Sequence, residues 1–288
     1  MRLSKNREAW PLIYHGNGDS KNGEIFTQLK KMMREGEGWQ ERHPLEENLT
    51  ILTWSIPEEK TILEESFIKM GIKDGIHIIP ISKPFNWLDK IKKTMEFLET
   101  VGTEYVMGVD ATDVIISTDK EGQTKLWYQI KDTFRKISNW DYEDKMGGDS
   151  RAKLCYNAEK HNWPSSKGHG TNIEEDGMNG HLIKLLKETE TFEETVYRDF
   201  MGSNSYRLNS GCFFGETEYT KMFYKTLWDK YVKNVYNKGT DECFFGGDQG
   251  FIRIMQKECF PEMFIDYNCK IFHTFTSVNM EDIDGIYE

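Results

Sequence analysis

The sequence predicts an α/β fold, a mixed and mostly parallel sheet flanked by helices, in one domain spanning residues 1–288. Three observations predict it. Short apolar runs alternate with amphipathic helical patterns along the chain. One run, EYVMGV at 104–109, is apolar on both faces, as a buried parallel strand should be. With 38% hydrophobic and 13% aromatic residues, 288 residues can bury a core without disulfide or metal staples.

The elements follow in order. TILTW, holding Ile51, Leu52 and Trp54, is the first strand, IHIIP at 76–80 the second and EYVMGV the third. TILEESFIKM (61–70) is a helix after the first strand. WLDKIKKTMEFLET (87–100) is a helix before the third, with Leu88, Ile91, Met95 and Leu98 on one stripe. Further on, KLCY (153–156), YRLNSGCFFG (206–215) and KIFHTF (270–275) are strand-like, and helical patterns fill 216–234 and 248–257. Residues 22–48 are polar, with a weak helical pattern at IFTQLKKMM, and read as a connector. Residues 165–205 are rich in Gly, Ser, Asn and Glu around a short helix-like HLIKLLKE. They read as a lid or acceptor insert, or as a surface excursion without a role.

Composition excludes several classes. Lys plus Arg number 37 against 48 Asp plus Glu, a net charge of −11. That balance gives no overall attraction to nucleic acid or anionic lipid, though a local basic groove is compatible with it. No stretch approaches the ~18 apolar residues of a membrane span. MRLSKNREAW has charge but no apolar core of a signal peptide, so a cytoplasmic protein is expected. Cys155, Cys212, Cys243, Cys259 and Cys269 form an odd set without CxxC spacing. Buried free thiols are expected, not a zinc cage or a disulfide framework.

Five segments carry candidate chemistry. In VMGVDATDVIIS an apolar strand runs into Asp110, and Asp113 follows three residues later. Ligands of open parallel sheets sit beyond the carboxyl ends of strands, where two carboxylates can share a hard cation. Asp after a strand also serves ordinary turns. In YHGNGDSK (14–21), His15 can ligate a metal such as manganese, Asn17 offers an amide, Gly18 lets backbone approach a diphosphate, and Lys21 carries a neutralising charge. The same run also suits a turn. NAEKHNWP (157–164) sets Glu159 and Trp163 where an acid and an indole can bind a sugar. RLNSGCFFG (207–215) opens with the small turn Asn209-Ser210-Gly211, suited to close backbone approach or to a bulge. GGDQGF (246–251) puts Asp248 and Gln249 at a helix start, where Asp248 is either a site residue or an N-cap.

Together these segments resemble the glycosyltransferase domain of procollagen lysyl hydroxylases, a nucleotide-sugar enzyme of the GT-A, Rossmann-like fold. The similarity runs from about Trp87 to His273, plus the HGNG segment. IKKTMEFL with VDATD is similar to the family's basic helix and metal-binding D-x-x-D strand. NAEKHNWP resembles A-E-x-x-x-W-P, LNSGCFFG resembles L-N-S-G-G-F-I-G, and GGDQGF resembles D-D-D-Q-L-F. IDYNCKIFHTF resembles L-D-H-x-x-R-I-F-Q-N, and HGNGDSK resembles H-G-N-G-P-T-K. The resemblance implies Asp110, Asp113 and His15 as ligands of Mn2+ (or Mg2+), with Asn17, Gly18 and Lys21 around the diphosphate. It implies Glu159, Trp163, Asn209 and Gln249 at the sugar and Asp248 as the catalytic base of an inverting transfer or the positioning group of a retaining one. Thr112 stands where the family has a Tyr that packs on the nucleobase, and Gly247 replaces one acid of its acidic run.

The order of motifs differs. In the family HGNG follows the I-F-Q-N strand; here His15 comes far ahead of Asp110. The expectation is a circular permutation, with residues 1–48 supplying the relocated metal and diphosphate loop plus a connector. The alternative makes His273 the third ligand. The 288 residues are too few to hold the family's hydroxylase half as well, so lysyl hydroxylation is not expected, and the resemblance implies transfer from a UDP-linked nucleotide sugar to a hydroxyl acceptor. That acceptor is a hydroxylysine-type protein or glycan, or a hydroxymethylated base in viral or phage DNA, which would put the protein in a host cytoplasm. KLWYQIKDTFRK (125–136) and KTLWDKYVKN (225–234) either supply a basic face for DNA or are solvated helix surfaces. A non-catalytic nucleotide-sugar-binding domain and a nucleotidyltransferase are the competing classes.

Overall fold

A computed structural model of the chain describes residues 13–16, 22–35, 48–56, 61–69, 76–81, 86–116, 130–136, 152–168, 178–238 and 244–274. The strands are β1 (Ile13–His15), β2 (Leu49–Ser55), β3 (Ile76–Pro80), β4 (Tyr105–Asp110), β5 (Val114–Ile116), β6 (Leu154–Glu159), β7 (Arg207–Glu216), β8 (Met263–Ile265) and β9 (Phe272–Thr274). The helices are α1 (Glu24–Glu35), α2 (Ile62–Lys69), α3 (Trp87–Leu98), α4 (130–136), α5 (Met178–Glu193), α6 (Thr217–Leu227), α7 (Lys233–Asn237) and α8 (Gly247–Cys259).

Six strands form one sheet in the order β3-β2-β4-β7-β6-β8. The sheet is mixed. β2 pairs in parallel with β3 and β4, and β6 with β8, while β7 runs antiparallel to both β4 and β6. Parallel pairing is thus interrupted in the middle of the sheet by one returning strand. β5, β1 and β9 make a second, three-stranded sheet, with β1 central, antiparallel to β5 and parallel to β9.

The period-2 pattern of the strands sorts the core into two layers. Leu52, Trp54, Val106, Tyr156 and Phe213 face one cluster, against α3, α6 and α8. Ile51, Met107, Val109, Cys155, Cys212 and Phe214 face the other, with α2, α4 and the small sheet. The helices start where the sequence says. Thr61 and Glu64 form a capping box before α2: Glu64 N donates to Thr61 Oγ1 (3.2 Å) and Thr61 N donates to Glu64 Oε2 (2.9 Å). Asn86 caps α3 by accepting from Leu88 N at 2.8 Å. The expected strands at 76–80 and 104–109 and the helices at 61–70 and 87–100 are all present.

Differences from expectation have local causes. β1, β5 and β8 are three residues long, too short for an alternation to register. Within the expected connector, α1 buries Phe26 and Leu29 against Tyr14, Ile62 and Ile115. In the 165–205 segment, HLIKLLKE belongs to the 16-residue α5, which continues as a seven-residue π-helical turn, Glu194–Phe200. Leu182, Leu186 and Tyr197 of this unit lie in the main core. Residues 169–177 are outside the described part.

A buried ion network fixes that helix. The Glu193 carboxylate, fully buried, accepts from Arg207 Nη1 at 3.0 Å, Arg253 Nη2 at 2.6 Å and Leu208 N at 3.2 Å. Arg253 also donates to Asn162 Oδ1 (3.0 Å) and to the Pro164 carbonyl. Glu190 accepts from Asn162 Nδ2 and Ser166 N, both at 2.8 Å. The 160–168 loop is thereby tied to α5 and α8. Removing Glu193 takes the carboxylate from the buried Arg253 guanidinium and leaves Arg207 with Glu194, in low dielectric. Glu193→Ala is expected to lower stability by about 3–5 kcal/mol in urea unfolding; a loss under ~1 kcal/mol would show that water replaces the carboxylate.

Candidate metal centre

β4 delivers Asp110 at its carboxyl end, and a short turn leads through Asp113 into β5. β5 pairs antiparallel with β1, setting His15 opposite Val114. Gly16 N donates to the Asp113 carbonyl at 2.7 Å and locks the two loops together. The result is a cluster in which one ligand atom each from His15, Asp110 and Asp113 lies within 4.8 Å of the others.

His15 is 2% exposed, and its Nε2 stands 3.7 Å from Asp110 Oδ2 and 3.6 Å from Asp113 Oδ1. Those gaps are too long for hydrogen bonds, and Nε2 has no hydrogen-bond partner. A buried imidazole nitrogen aimed between two carboxylates fits a shared cation, and this group can hold a metal ion. His273 belongs elsewhere. It pairs with Tyr14 in the β1–β9 register, and the two rings meet edge-on with centroids 6.2 Å apart. By the period-2 rule His273 shares Tyr14's face of the small sheet, opposite to His15.

Gly211, on β7, forms the floor. A Cβ added there would come 2.3 Å from His15 Cε1 and 2.8 Å from Asp110 Oδ2. The Asn209 side chain turns back to accept from Gly211 N at 2.8 Å, which holds this stretch against the cluster.

One cation of the site escaped sequence reasoning. Lys90, from α3, is 4% exposed; its Nζ donates to Asp110 Oδ1 at 2.8 Å and lies 3.2 Å from Asp248 Oδ2. Its ammonium also lies 4.2 Å from the centre of the Trp54 ring. The signal was its position: Lys90, Thr94 and Leu98 repeat at i+4 on the buried face of α3. Asp248 is 3% exposed and lies one turn-start inside α8, whose N-cap is Gly246, so the N-cap reading of Asp248 is corrected. Gly247, standing where the resembled family has an acid, has a φ of +67° and would place a Cβ 2.8 Å from the Trp87 side chain. A carboxylate side chain does not fit this backbone.

Beside the acids lies an amide-centred group. Gln249 Nε2 donates to Glu159 Oε1 and to the Trp163 carbonyl, both at 2.6 Å. Gln249 Oε1 accepts from Ser210 N at 3.3 Å. Glu159 and Asn209 are each 1% exposed, whereas the Trp163 indole is 45% exposed. Thr112 is exposed between the two aspartates. Asn17, Gly18 and Lys21 lie outside the described residues.

The electrostatics follow from crowding. Burial lowers the His15 pKa, but Asp113, Asp110 and Glu159 together outweigh it and raise it above the ordinary value. Burial raises the Asp110 carboxyl, against the opposing pull of Lys90 and with help from Asp113. Burial opposes the charge on Lys90, yet Asp110 and Asp248 raise its pKa strongly. Comparison with protein-family models and with curated proteins finds no match to this chain.

Two outcomes are expected. Gly211→Ala drives a methyl into His15 and Asp110, so divalent-cation binding measured by calorimetry falls by roughly tenfold or more while the fold persists. The raised His15 pKa sets a pH window. In the cation-free protein the protonated imidazole stabilises fully below its ordinary pKa of 6.5, and this contribution disappears as pH rises through the raised value. A cation has to displace that proton. Cation affinity should therefore strengthen as pH rises through a midpoint above 6.5; an affinity independent of pH between about 6 and 9 would contradict this.

Proposed function

We propose that the protein is a metal-dependent glycosyltransferase of the GT-A type, taking a sugar from a nucleotide-sugar donor, with UDP as the carrier, to a hydroxyl on a macromolecular acceptor. The observation that carries the reading is the buried His15–Asp110–Asp113 group at the carboxyl end of β4, with Lys90, Asp248, Glu159 and Gln249 beside it. A nitrogen and two carboxylates suit Mn2+ better than the all-oxygen preference of Mg2+. Such an ion, when bound, supplies positive charge to the departing diphosphate.

The chain's own groups have distinct tasks in this reading. His15, Asp110 and Asp113 hold the ion. Lys90 keeps Asp110 turned toward His15 through its 2.8 Å bond. Glu159, fixed by Gln249, accepts hydrogen bonds from sugar hydroxyls, and the exposed Trp163 indole offers an apolar face to the ring. Asp248 takes the acceptor proton in an inverting transfer or orients a hydroxyl in a retaining one. The permutation reading draws support from β1 lying beside β9 in one sheet, since HGNG and the I-F-Q-N-like strand are then spatial neighbours.

Among acceptors, a protein or glycan fits better than DNA. Lys225 pairs with Asp229 at 2.6 Å, Lys136 with Asp132 at 2.6 Å, and Lys230 with Glu258, so these described lysines of the two basic stretches are already neutralised. No helix among the described residues is long and apolar enough to cross a membrane.

The test is release of free UDP from UDP-sugars with Mn2+, compared with pyrophosphate release. Asp110→Asn and Asp113→Asn are each expected to lower UDP release on the order of a hundredfold or more. Full activity in both, or pyrophosphate as the product, would refute the assignment.

A further inference from the structure

Behind His15 lies Asn157, whose carboxamide is fully buried. Its Nδ2 is 3.3 Å from His15 Nδ1. Its Oδ1 has no hydrogen-bond partner, and neither has His15 Nε2 on the far side of the ring. Unsatisfied buried atoms of this kind are costly, by about 1–3 kcal/mol each. One rearrangement readies the ring for a cation. A half-turn of the amide exchanges Oδ1 and Nδ2 at the same position, and Oδ1 then accepts a proton from Nδ1–H. With the ring proton on Nδ1, the Nε2 lone pair points between Asp110 and Asp113.

The backbone aims Asn157 at this place. The β6–β7 pairing shifts register between Tyr156 and Asn157, where Tyr156 faces Phe213 and Asn157 faces Asn209. The extra residues, Ser210, Gly211 and Cys212, lie on β7, while β6 keeps its alternation, so Asn157 shares the face of Cys155 toward the small sheet.

We infer that Asn157 is a positioning residue that fixes His15 as the Nδ1–H tautomer and so dedicates Nε2 to a divalent cation. The inference rests on the reading of the His15–Asp110–Asp113 group as a metal site and adds the residue that makes its histidine a ligand. Outer partners of metal-bound histidines commonly set ring orientation and basicity in this way.

The experiment titrates the intact protein with Mn2+ in wild type, Asn157→Leu and Asn157→Asp. Leu has similar size and cannot accept a hydrogen bond; Asp can only accept. Asn157→Leu is expected to bind Mn2+ on the order of 10–100-fold more weakly, with near-UV circular dichroism unchanged. Asn157→Asp is expected to bind at least as well as wild type. Wild-type affinity in a folded Asn157→Leu, or equal weakening in both variants, overturns the inference. An electrostatic gain from the added carboxylate is separated by nitrogen NMR of the wild type loaded with diamagnetic Zn2+. A proton on His15 Nδ1 with the ion on Nε2 supports the inference, and the reverse tautomer overturns it, which also decides the matter if Asn157→Leu fails to fold. A wild type that binds no divalent ion sinks the metal-site reading itself, a result distinct from any difference among variants.

Discussion

Charge balance in a confined space governs this structure. Asp110, Asp113, Glu159 and Asp248 converge where β4, β6 and α8 meet, and the described cations among them are Lys90 and His15. Four carboxylates against one ammonium and one imidazole leave the centre short of positive charge. Mutual repulsion at these distances, in a medium less polarisable than water, is worth several kcal/mol. A divalent cation relieves that deficit, and the same deficit raises the His15 pKa when the proton is the only relief at hand.

The remainder of the fold keeps those groups from moving apart. Lys90 has little freedom because Trp54 lies under its ammonium and the Thr94 hydroxyl accepts from Trp54 Nε1 at 2.8 Å. Gln249 is held from one side by Ser210 and grips Glu159 and the Trp163 carbonyl on the other. The Glu193–Arg207–Arg253 network ties the loop bearing Trp163 to α5 and α8. Asp266 accepts three consecutive amides, from Lys270 (2.9 Å), Ile271 (2.6 Å) and Phe272 (2.8 Å), and so shapes the entry into β9. Rigid walls of this kind suit a site whose selectivity depends on fixed ligand positions.

Much of this was legible in the residues, and the illegible parts share a cause. Strands β3 and β4 and helices α2 and α3 announce themselves through period and caps. Asp110 was readable because an apolar strand ends on it. His15 was readable only through its motif, since its partners come from β4 and the turn before β5, far along the chain. Lys90 reads as one more solvated lysine in a basic helix until Trp54 and Asp110 are seen around it. Asn157 sits two places before Glu159 with no pattern to mark it, because its neighbour His15 comes from β1, far away in the chain. What sequence conveys poorly is the non-local: who faces whom across a sheet that does not follow chain order.

The small sheet has a further consequence for how the molecule comes into being. β1 is central between β5 and β9, and Ile13 has Phe272 as its register partner. During synthesis, His15 emerges first but waits for Asp110 and Asp113, and the edge of β1 waits longer still for nearly the whole described chain to appear. Pairings of such sequence separation form late, because the loop they close is large. A chain cut short before β9 leaves β1 paired on its β5 side alone. The pairing of β1 with β9 accordingly records that two distant stretches of the described chain have found one another.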